Sequence, residues 1–190
     1  MRRFLMTGML VVGGSCAHAP AESAAPEWKL LSASPEVSEI QFQTTENMNR
    51  ATVTDRGARG PFVELERSPG ALRGTVRSDW LVDLREQGNE IGGRFGGHSY
   101  DLTLRPEGEE TRATGLVRGQ DTTFWMSPRK IHGKVGACRF DLVWGAGRYS
   151  GSRTCGPLGQ ETVSMLVPAA LATWSDPESA ALLTMMVSRF

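Results

Sequence analysis

Few side chains in this sequence have the types and spacing that catalysis or metal binding requires. His98 precedes Ser99, but a nucleophilic serine needs a histidine that reaches it and a third group that orients that base, and the chain has no G-x-S-x-G segment. His132 lies between Ile131 and Gly133 in an alternating strand pattern. Neither histidine has a cysteine or acidic partner nearby in the sequence, as a metal site would need. We therefore predict no catalytic residue, no metal and no cofactor, and we expect a protein that is not an enzyme.

Carboxylate and basic side chains are numerous but do not form the pattern of an active site. Asp101 and Asp141 recur at equivalent places in a repeated segment, which indicates a solvent-facing strand position rather than the acid pair of a glycosidase. The glycine-rich segment 92–97 has the composition of a phosphate loop, but strand alternation continues through it and no helix follows. Six basic residues could form a stripe on one outer face that contacts an anionic lipid or polysaccharide: Arg94, Arg118, Lys134, Arg139, Arg148 and Arg153.

Composition predicts one globular domain. The chain has 190 residues, with 21 basic and 21 acidic side chains. This balance gives no net field that would attract nucleic acid, so we expect no nucleic-acid partner. No apolar run reaches the roughly 18 to 20 residues that a membrane-spanning helix needs.

The cysteines predict one disulfide. The chain has three, and an odd number in an exported protein needs an explanation. If the sulfur of Cys16 carries a covalent modification, then Cys138 and Cys155 are the two cysteines that remain. In an oxidising compartment they can form a disulfide that closes a loop of about 17 residues. The alternative is two unrelated free thiols. A redox motif or a zinc knuckle has no support, because no C-x-x-C is present.

The N-terminus has the organisation of a bacterial export signal. Arg2 and Arg3 precede an almost continuous apolar stretch at 4–12, which is too short to remain as a spanning helix. The following Gly13-Gly14-Ser15-Cys16 resembles the lipobox of bacterial lipoproteins, although Gly13 stands where leucine is preferred. The alternatives are an ordinary secretory cut after Ala17-His18-Ala19 and a cytoplasmic protein.

The lipoprotein resemblance implies a signal peptide at 1–15 and a diacylglycerol on the sulfur of Cys16. We interpret residues 16–27 as a lipidated tether, because they are rich in Ala, Pro and Ser and have no periodicity. Residues 28–190 then form a single β-rich domain. The resemblance also implies the outer membrane, since Ala17 follows Cys16 where an inner-membrane retention signal has Asp. A secreted or soluble periplasmic protein is the alternative.

The body of the sequence is a repeated hairpin. Residues 91–104 and 131–144 share the pattern Ile-x-Gly-basic-apolar-Gly, followed by aromatic-Asp-Leu-x-apolar. Weaker copies begin at Leu72, Ala113 and Tyr149. The alternation of apolar and polar residues predicts two short antiparallel strands in each copy, joined by turns such as Gly96-Gly97 and Gly136-Ala137. The central glycines of the five copies are Gly74, Gly93, Gly115, Gly133 and Gly151.

These units predict a mainly β fold, an antiparallel meander of about 10 to 13 short strands that forms a barrel or a sandwich. We expect strands of about 5 to 7 residues, with Trp80, Tyr100 and Phe140 packing over the glycines. Ser175 and Glu178 form a capping box for one C-terminal α-helix at about 176–189. The apolar residues of the helix share one face, so we expect it to lie against an open end or one face of the β-structure. These residues are Leu182, Leu183, Met186, Val187 and Phe190.

Three functions are compatible with these features. The first is an envelope lipoprotein whose β-domain binds an envelope protein partner, as an accessory of a motility, secretion or adhesion assembly. The second is a β-barrel that binds a small apolar ligand inside an aromatic lining. The third is an inhibitor of an envelope-attacking enzyme, with the segment 105–111 as its wedge. The proposed lining comprises Trp80, Phe95, Tyr100, Phe124, Trp125, Phe140 and Trp144.

Overall fold

The computed structural model describes residues 29–32, 34 and 36–188. The predicted signal peptide at 1–15, the tether at 16–27 and its Cys16 lie outside these residues. Within the described part of the chain, no helix is both long and apolar enough to span a membrane.

Fourteen antiparallel strands form a closed barrel. The strands are β1 (Glu39–Gln43), β2 (Met48–Thr54), β3 (Gly57–Arg59), β4 (Val63–Ser68), β5 (Ala71–Val76), β6 (Trp80–Gln87), β7 (Glu90–Phe95), β8 (His98–Glu107), β9 (Glu110–Val117), β10 (Gln120–Met126), β11 (Lys130–Val135), β12 (Cys138–Gly145), β13 (Arg148–Cys155) and β14 (Gln160–Leu166). Each strand pairs with the next along the chain, and β1 pairs with β14 to close the ring. The predicted fold class is therefore confirmed, with a barrel rather than a sandwich.

Two details of the strand prediction are wrong. The three-residue strand β3 was not predicted, because Gly57-Ala58-Arg59 is too short to show alternation. The strand lengths also vary more than the expected 5 to 7 residues, since β8 has ten residues. The five predicted repeat units do correspond to hairpins, which are β5–β6, β7–β8, β9–β10, β11–β12 and β13–β14.

The repeated glycines mark places where the preceding strand passes very close. A Cβ atom on Gly93 would lie 2.1 Å from the carbonyl oxygen of Asp83, and the other four glycines have equivalent overlaps. Tyr100 and Phe140 lie opposite Gly93 and Gly133 on the following strand. The expected pairing of an aromatic residue with a glycine is therefore found for Tyr100 and Phe140, whereas Trp80 lies opposite Val76 and not opposite Gly74. However, the contact that requires glycine is made by backbone of the preceding strand.

The C-terminal helix α1 (Asp176–Val187) lies inside the barrel. Every residue from Pro177 to Val187 is buried, so the expected single apolar face against one end or one side of the sheet is wrong. Its bonding partners lie on separate strands around the ring: Glu178 accepts from Arg67 on β4 at 2.6 Å, and Thr184 hydrogen-bonds Tyr100 on β8 at 2.9 Å. A helix buried all round is packed on every side rather than along a stripe.

The helix begins as predicted and crosses the barrel from one end to the other. The Ser175 side chain accepts from the Glu178 N–H at 3.3 Å, and the Glu178 carboxylate accepts from the Ser175 N–H at 3.1 Å, which confirms the capping box. Twelve helical residues span about 18 Å. The last carbonyl of the helix, that of Val187, accepts from the Arg153 guanidinium on β13 at 2.8 Å.

The two ends of the barrel differ, and we name them by the course of the chain. The near end holds the first described residues and a 3₁₀ turn at Ala169–Thr173 that leads into α1. There the Leu31 N–H donates to the Tyr149 hydroxyl at 3.0 Å, and burial raises the pKa of Tyr149 to about 12. The far end carries the turns at 44–47, 60–62, 77–79, 96–97, 118–119, 136–137 and 156–159.

The predicted disulfide is present at the far end. Cys138 and Cys155 lie directly opposite each other on β12 and β13, with their Cα atoms 4.0 Å apart. The bond closes a 17-residue separation, which constrains the unfolded chain. We expect reduction to lower the free energy of unfolding by about 3 kcal/mol, measured as urea unfolding followed by tryptophan fluorescence.

The matched control is the double variant Cys138→Ala/Cys155→Ala. Its unfolding curve should not respond to reductant, because the responsive bond has been removed. If reductant shifted the variant as much as the wild type, the assignment of the stability change to this bond would be wrong.

Candidate functional site

A polar cluster at the near end fixes the start of α1. The Glu178 side chain is only 1% exposed and is held by Arg67. The Ser175 hydroxyl donates a short hydrogen bond to the Glu86 carboxylate on β6. Burial of a carboxylate is favourable only when donors compensate for the lost water. The cluster therefore positions the helix in the barrel, because the carboxylates of Glu178 and Glu86 accept hydrogen bonds from Arg67 and Ser175.

Glu86 makes the stability of this cluster depend on pH. Burial and the neighbouring charge of Glu178 raise the pKa of Glu86 above its ordinary 4.5, against the opposing effect of the hydrogen bond from Ser175. The folded state therefore binds a proton more readily at this site than the unfolded state does. The contribution of Glu86 to the free energy of unfolding should fall as pH rises from 4.5 through the folded-state pKa.

We expect Glu86→Gln to flatten the decline in unfolding free energy above pH 4.5. The measurement is urea unfolding at a series of pH values, and Glu90→Gln on the exposed start of β7 is the control. Parallel pH profiles for wild type and Glu86→Gln would contradict the assignment.

The structure does not bring His98 and Ser99 together as a catalytic pair. They are adjacent residues at the start of β8, and adjacent strand residues point to opposite faces. His132 has an acidic partner that is distant in sequence, because its Nε2 lies 3.3 Å from both carboxylate oxygens of Glu110. Among the described residues, no group of three or more His, Cys, Asp or Glu side chains is arranged to hold a metal ion.

Trp125 faces outward, so its prediction as part of an interior lining is wrong. Its neighbours in sequence, Phe124 and Met126, are buried, and its own ring stacks on His132 with centroids 5.3 Å apart. The other predicted aromatic residues are buried or packed against the core: Trp80, Phe95, Tyr100, Phe124, Phe140 and Trp144. Helix α1 and these side chains fill the interior that the predicted lining would have surrounded.

The segment 105–111 is a tight connection at the near end. β8 ends at Glu107 and β9 begins at Glu110, which leaves a two-residue turn. The Trp125 indole donates to the Glu107 carboxylate at 3.0 Å, and Glu110 contacts His132. The segment predicted as an inhibitory wedge is thus tied to the outer wall of the barrel.

The six basic residues do not form one stripe. Arg94, Arg118, Lys134 and Arg139 lie at the far end, on β7 to β12. Arg148 begins β13 at the near end. Arg153 is buried and donates to Glu161 at 2.8 and 2.9 Å. Asp101 and Asp141, by contrast, are exposed on the outer face as predicted.

Aromatic and cationic side chains meet at the far end beside an exposed leucine. The guanidinium carbons of Arg77 and Arg118 lie 5.2 and 3.8 Å from the centroid of the Trp80 ring. Leu81 follows on the outer face of β6 and is 69% exposed. The sequence carried a signal for this position, because alternation with the inward Val82 places Leu81 outside. Arg and Trp side chains are enriched where proteins bind other proteins.

Comparison of the chain with protein families, curated proteins and solved structures finds no match. The functional argument therefore rests on the barrel itself.

Proposed function

We propose that this protein is a lipid-anchored protein of the outer membrane that binds an envelope protein partner through the far end of its barrel. The observation that carries the proposal is the position of α1, which fills the barrel interior. With the interior filled, recognition is expected on the outer surface and the turns. The resemblance of residues 13–16 to a lipobox supports the anchor.

The course of the chain supports the choice of the far end. Residues 29–31 reach the barrel at the near end, so a tether at 16–27 would approach from that side. Twelve extended residues reach about 40 Å at most. A protein held in this way presents the turns of its far end away from the lipid.

The test compares two exposed apolar positions on opposite ends of the barrel. Leu81 at the far end is 69% exposed, and Val143 near the other end is 54% exposed. A photo-crosslinking phenylalanine derivative is placed at each position in the full-length protein, in cells with and without Cys16→Ala. We expect one dominant envelope protein to be captured from position 81, with only background capture from position 143.

Each part of the proposal has its own contrary result. Equal capture from both positions would overturn the far end as the binding face. Unchanged membrane fractionation of Cys16→Ala would overturn the lipid anchor. Capture that persists in that variant would show that the partner does not require anchoring.

A further inference from the structure

Exposed apolar side chains lie at the near end, where the N-terminal segment meets the barrel. The Leu31 N–H donates to the Tyr149 hydroxyl, which itself donates to the Pro128 carbonyl at 2.9 Å. Leu31 is therefore held beside the turn 127–129, which joins β10 to β11. It is 37% exposed, and Val143 on the neighbouring strand β12 is 54% exposed. Of the four large apolar side chains that are exposed among the described residues, two lie in this sector.

The two turns of the same sector carry positive charge. Arg129 lies in the turn before β11, and Arg148 begins β13 after the turn 146–147. Both side chains are exposed, and among the described residues neither forms an ion pair. Lys130 is a third cation, which pairs with Asp141 at 3.2 Å. We call the two turns, together with Leu31 and Val143, the basic sector.

Acidic residues bound the basic sector on both sides. Glu109 is exposed in the turn between β8 and β9, which is the next turn along the near end. On the other side, Glu39 begins β1, which lies beyond β14 in the ring. An anionic surface would attract Arg129 and Arg148 and would repel Glu109. The near end therefore has a preferred side toward negative charge.

We propose that the basic sector rests on an anionic phospholipid surface, the membrane that holds the tether. Arginine side chains bind lipid phosphates through charge-assisted hydrogen bonds, and basic residues are attracted to anionic bilayers. The exposed side chains of Leu31 and Val143 gain by leaving water at the same surface. The turn beside them offers no obstacle, because a Cβ atom added to Gly145 or Gly147 would meet no atom within 4 Å.

The contact depends on the lipid anchor proposed above, because two unpaired arginines and two exposed apolar side chains bind a bilayer only weakly. A short flexible tether raises the effective concentration of the surface to the millimolar range. Weak contacts then suffice to fix the orientation of the barrel. The far end, with Leu81, points away from the lipid in this orientation.

The test is photo-crosslinking to lipid in reconstituted vesicles. The full-length protein, purified with its lipid, carries the photo-crosslinking phenylalanine derivative at position 143 or at position 81. The vesicles contain phosphatidylcholine with or without phosphatidylglycerol, and intact-mass spectrometry measures the fraction of protein that gains one phospholipid. With phosphatidylglycerol we expect lipid adducts from position 143 and only background from position 81. Without it, the yield from position 143 should fall, because the arginine side chains lose their anionic partners.

Charge variants identify the turns that contact the lipid. Arg129→Gln/Arg148→Gln should lower the lipid adducts from position 143 at least fivefold, since a single basic side chain at an anionic surface contributes a factor of about five. The matched control is Arg85→Gln/Arg105→Gln, which removes the same charge from exposed positions near the same end of β6 and β8. This control should give the wild-type yield.

A second form of the protein tests the basic sector without the natural anchor. It carries Cys16→Ala and a hexahistidine tag in place of residues 1–15, and a nickel-chelating lipid attaches it to the same vesicles. Lipid adducts from position 143 in this form would support the basic sector even if fractionation of Cys16→Ala in cells refuted the lipid anchor. Their absence from both forms would overturn the basic sector and leave the anchor standing.

Three further results would overturn the proposal. They are equal lipid adducts from positions 81 and 143, equal yields with and without phosphatidylglycerol, and equal losses in the two double variants.

Discussion

Replacing Leu182 with aspartate should unfold the protein. Leu182 lies in the middle of α1 and is 0% exposed inside the barrel. Loss of a buried leucine side chain alone costs about 2 to 5 kcal/mol. An unpaired carboxylate buried in its place costs several kcal/mol more. The sum approaches the whole stability of a typical domain, about 5 to 15 kcal/mol.

The matched control introduces the same change on the outside of the barrel. Leu81→Asp replaces a leucine that is 69% exposed, so the effect should be below about 0.5 kcal/mol. Both variants are measured by thermal unfolding followed by far-ultraviolet circular dichroism. A cooperative transition in Leu182→Asp within a few degrees of the wild type would contradict the placement of α1 inside the barrel.

The position of α1 shows where sequence reasoning failed. Its apolar residues share a face, and Glu178 and Thr184 fall where a solvent-facing side would be expected. In the structure each of these polar groups has a partner inside the barrel, Arg67 for one and Tyr100 for the other. Such partners are distant in sequence, and no local pattern reveals them. Periodicity therefore predicted the existence of the helix but not its surroundings.

The hairpins were predictable because the residue patterns that specify them, strand alternation and turn glycines, are local in sequence. Alternation in Tyr100, Leu102 and Leu104 identifies β8, and the turn at Gly96-Gly97 has positive φ values of 57° and 80°. Closure of the sheet by β1 and β14 joins segments more than a hundred residues apart. Local sequence patterns therefore could not distinguish a barrel from a sandwich. β3 was missed because three residues contain too little pattern.

The candidate surfaces were predictable only as residue types. The sequence identifies Arg118, Lys134 and Arg139 as basic residues near turns. The antiparallel ring then brings those turns to the same end, where Arg118 lies over the Trp80 ring. Arg153 shows the opposite case, because the same residue type in an equivalent strand faces inward and binds Val187 and Glu161. Alternation with Tyr149 and Gly151 places Arg153 on the inner face of β13, so the prediction that it lies on an outer stripe is wrong.

Replacing Gly115 with alanine should be among the most damaging small changes in the barrel. Its φ of 150° is unfavourable for a residue with a side chain. The added Cβ would lie 2.0 Å from the carbonyl oxygen of Asp101 on the preceding strand, which is backbone and cannot rotate away. We expect the free energy of unfolding to fall by more than about 3 kcal/mol, because steric overlap adds to the backbone strain.

Gly119→Ala in the turn after the same strand separates these two effects. Gly119 also has a positive φ, 72°, but an added Cβ there would meet no atom within 4 Å. Its replacement should cost only about 1 to 2 kcal/mol, the usual cost of a left-handed conformation. Urea unfolding of both variants measures the difference. If the two losses were equal, conformational preference alone would explain the glycine in each repeat. A much larger loss at Gly115 would show that the repeat preserves the close approach of neighbouring strands, and with it the tight curvature that closes the barrel around α1.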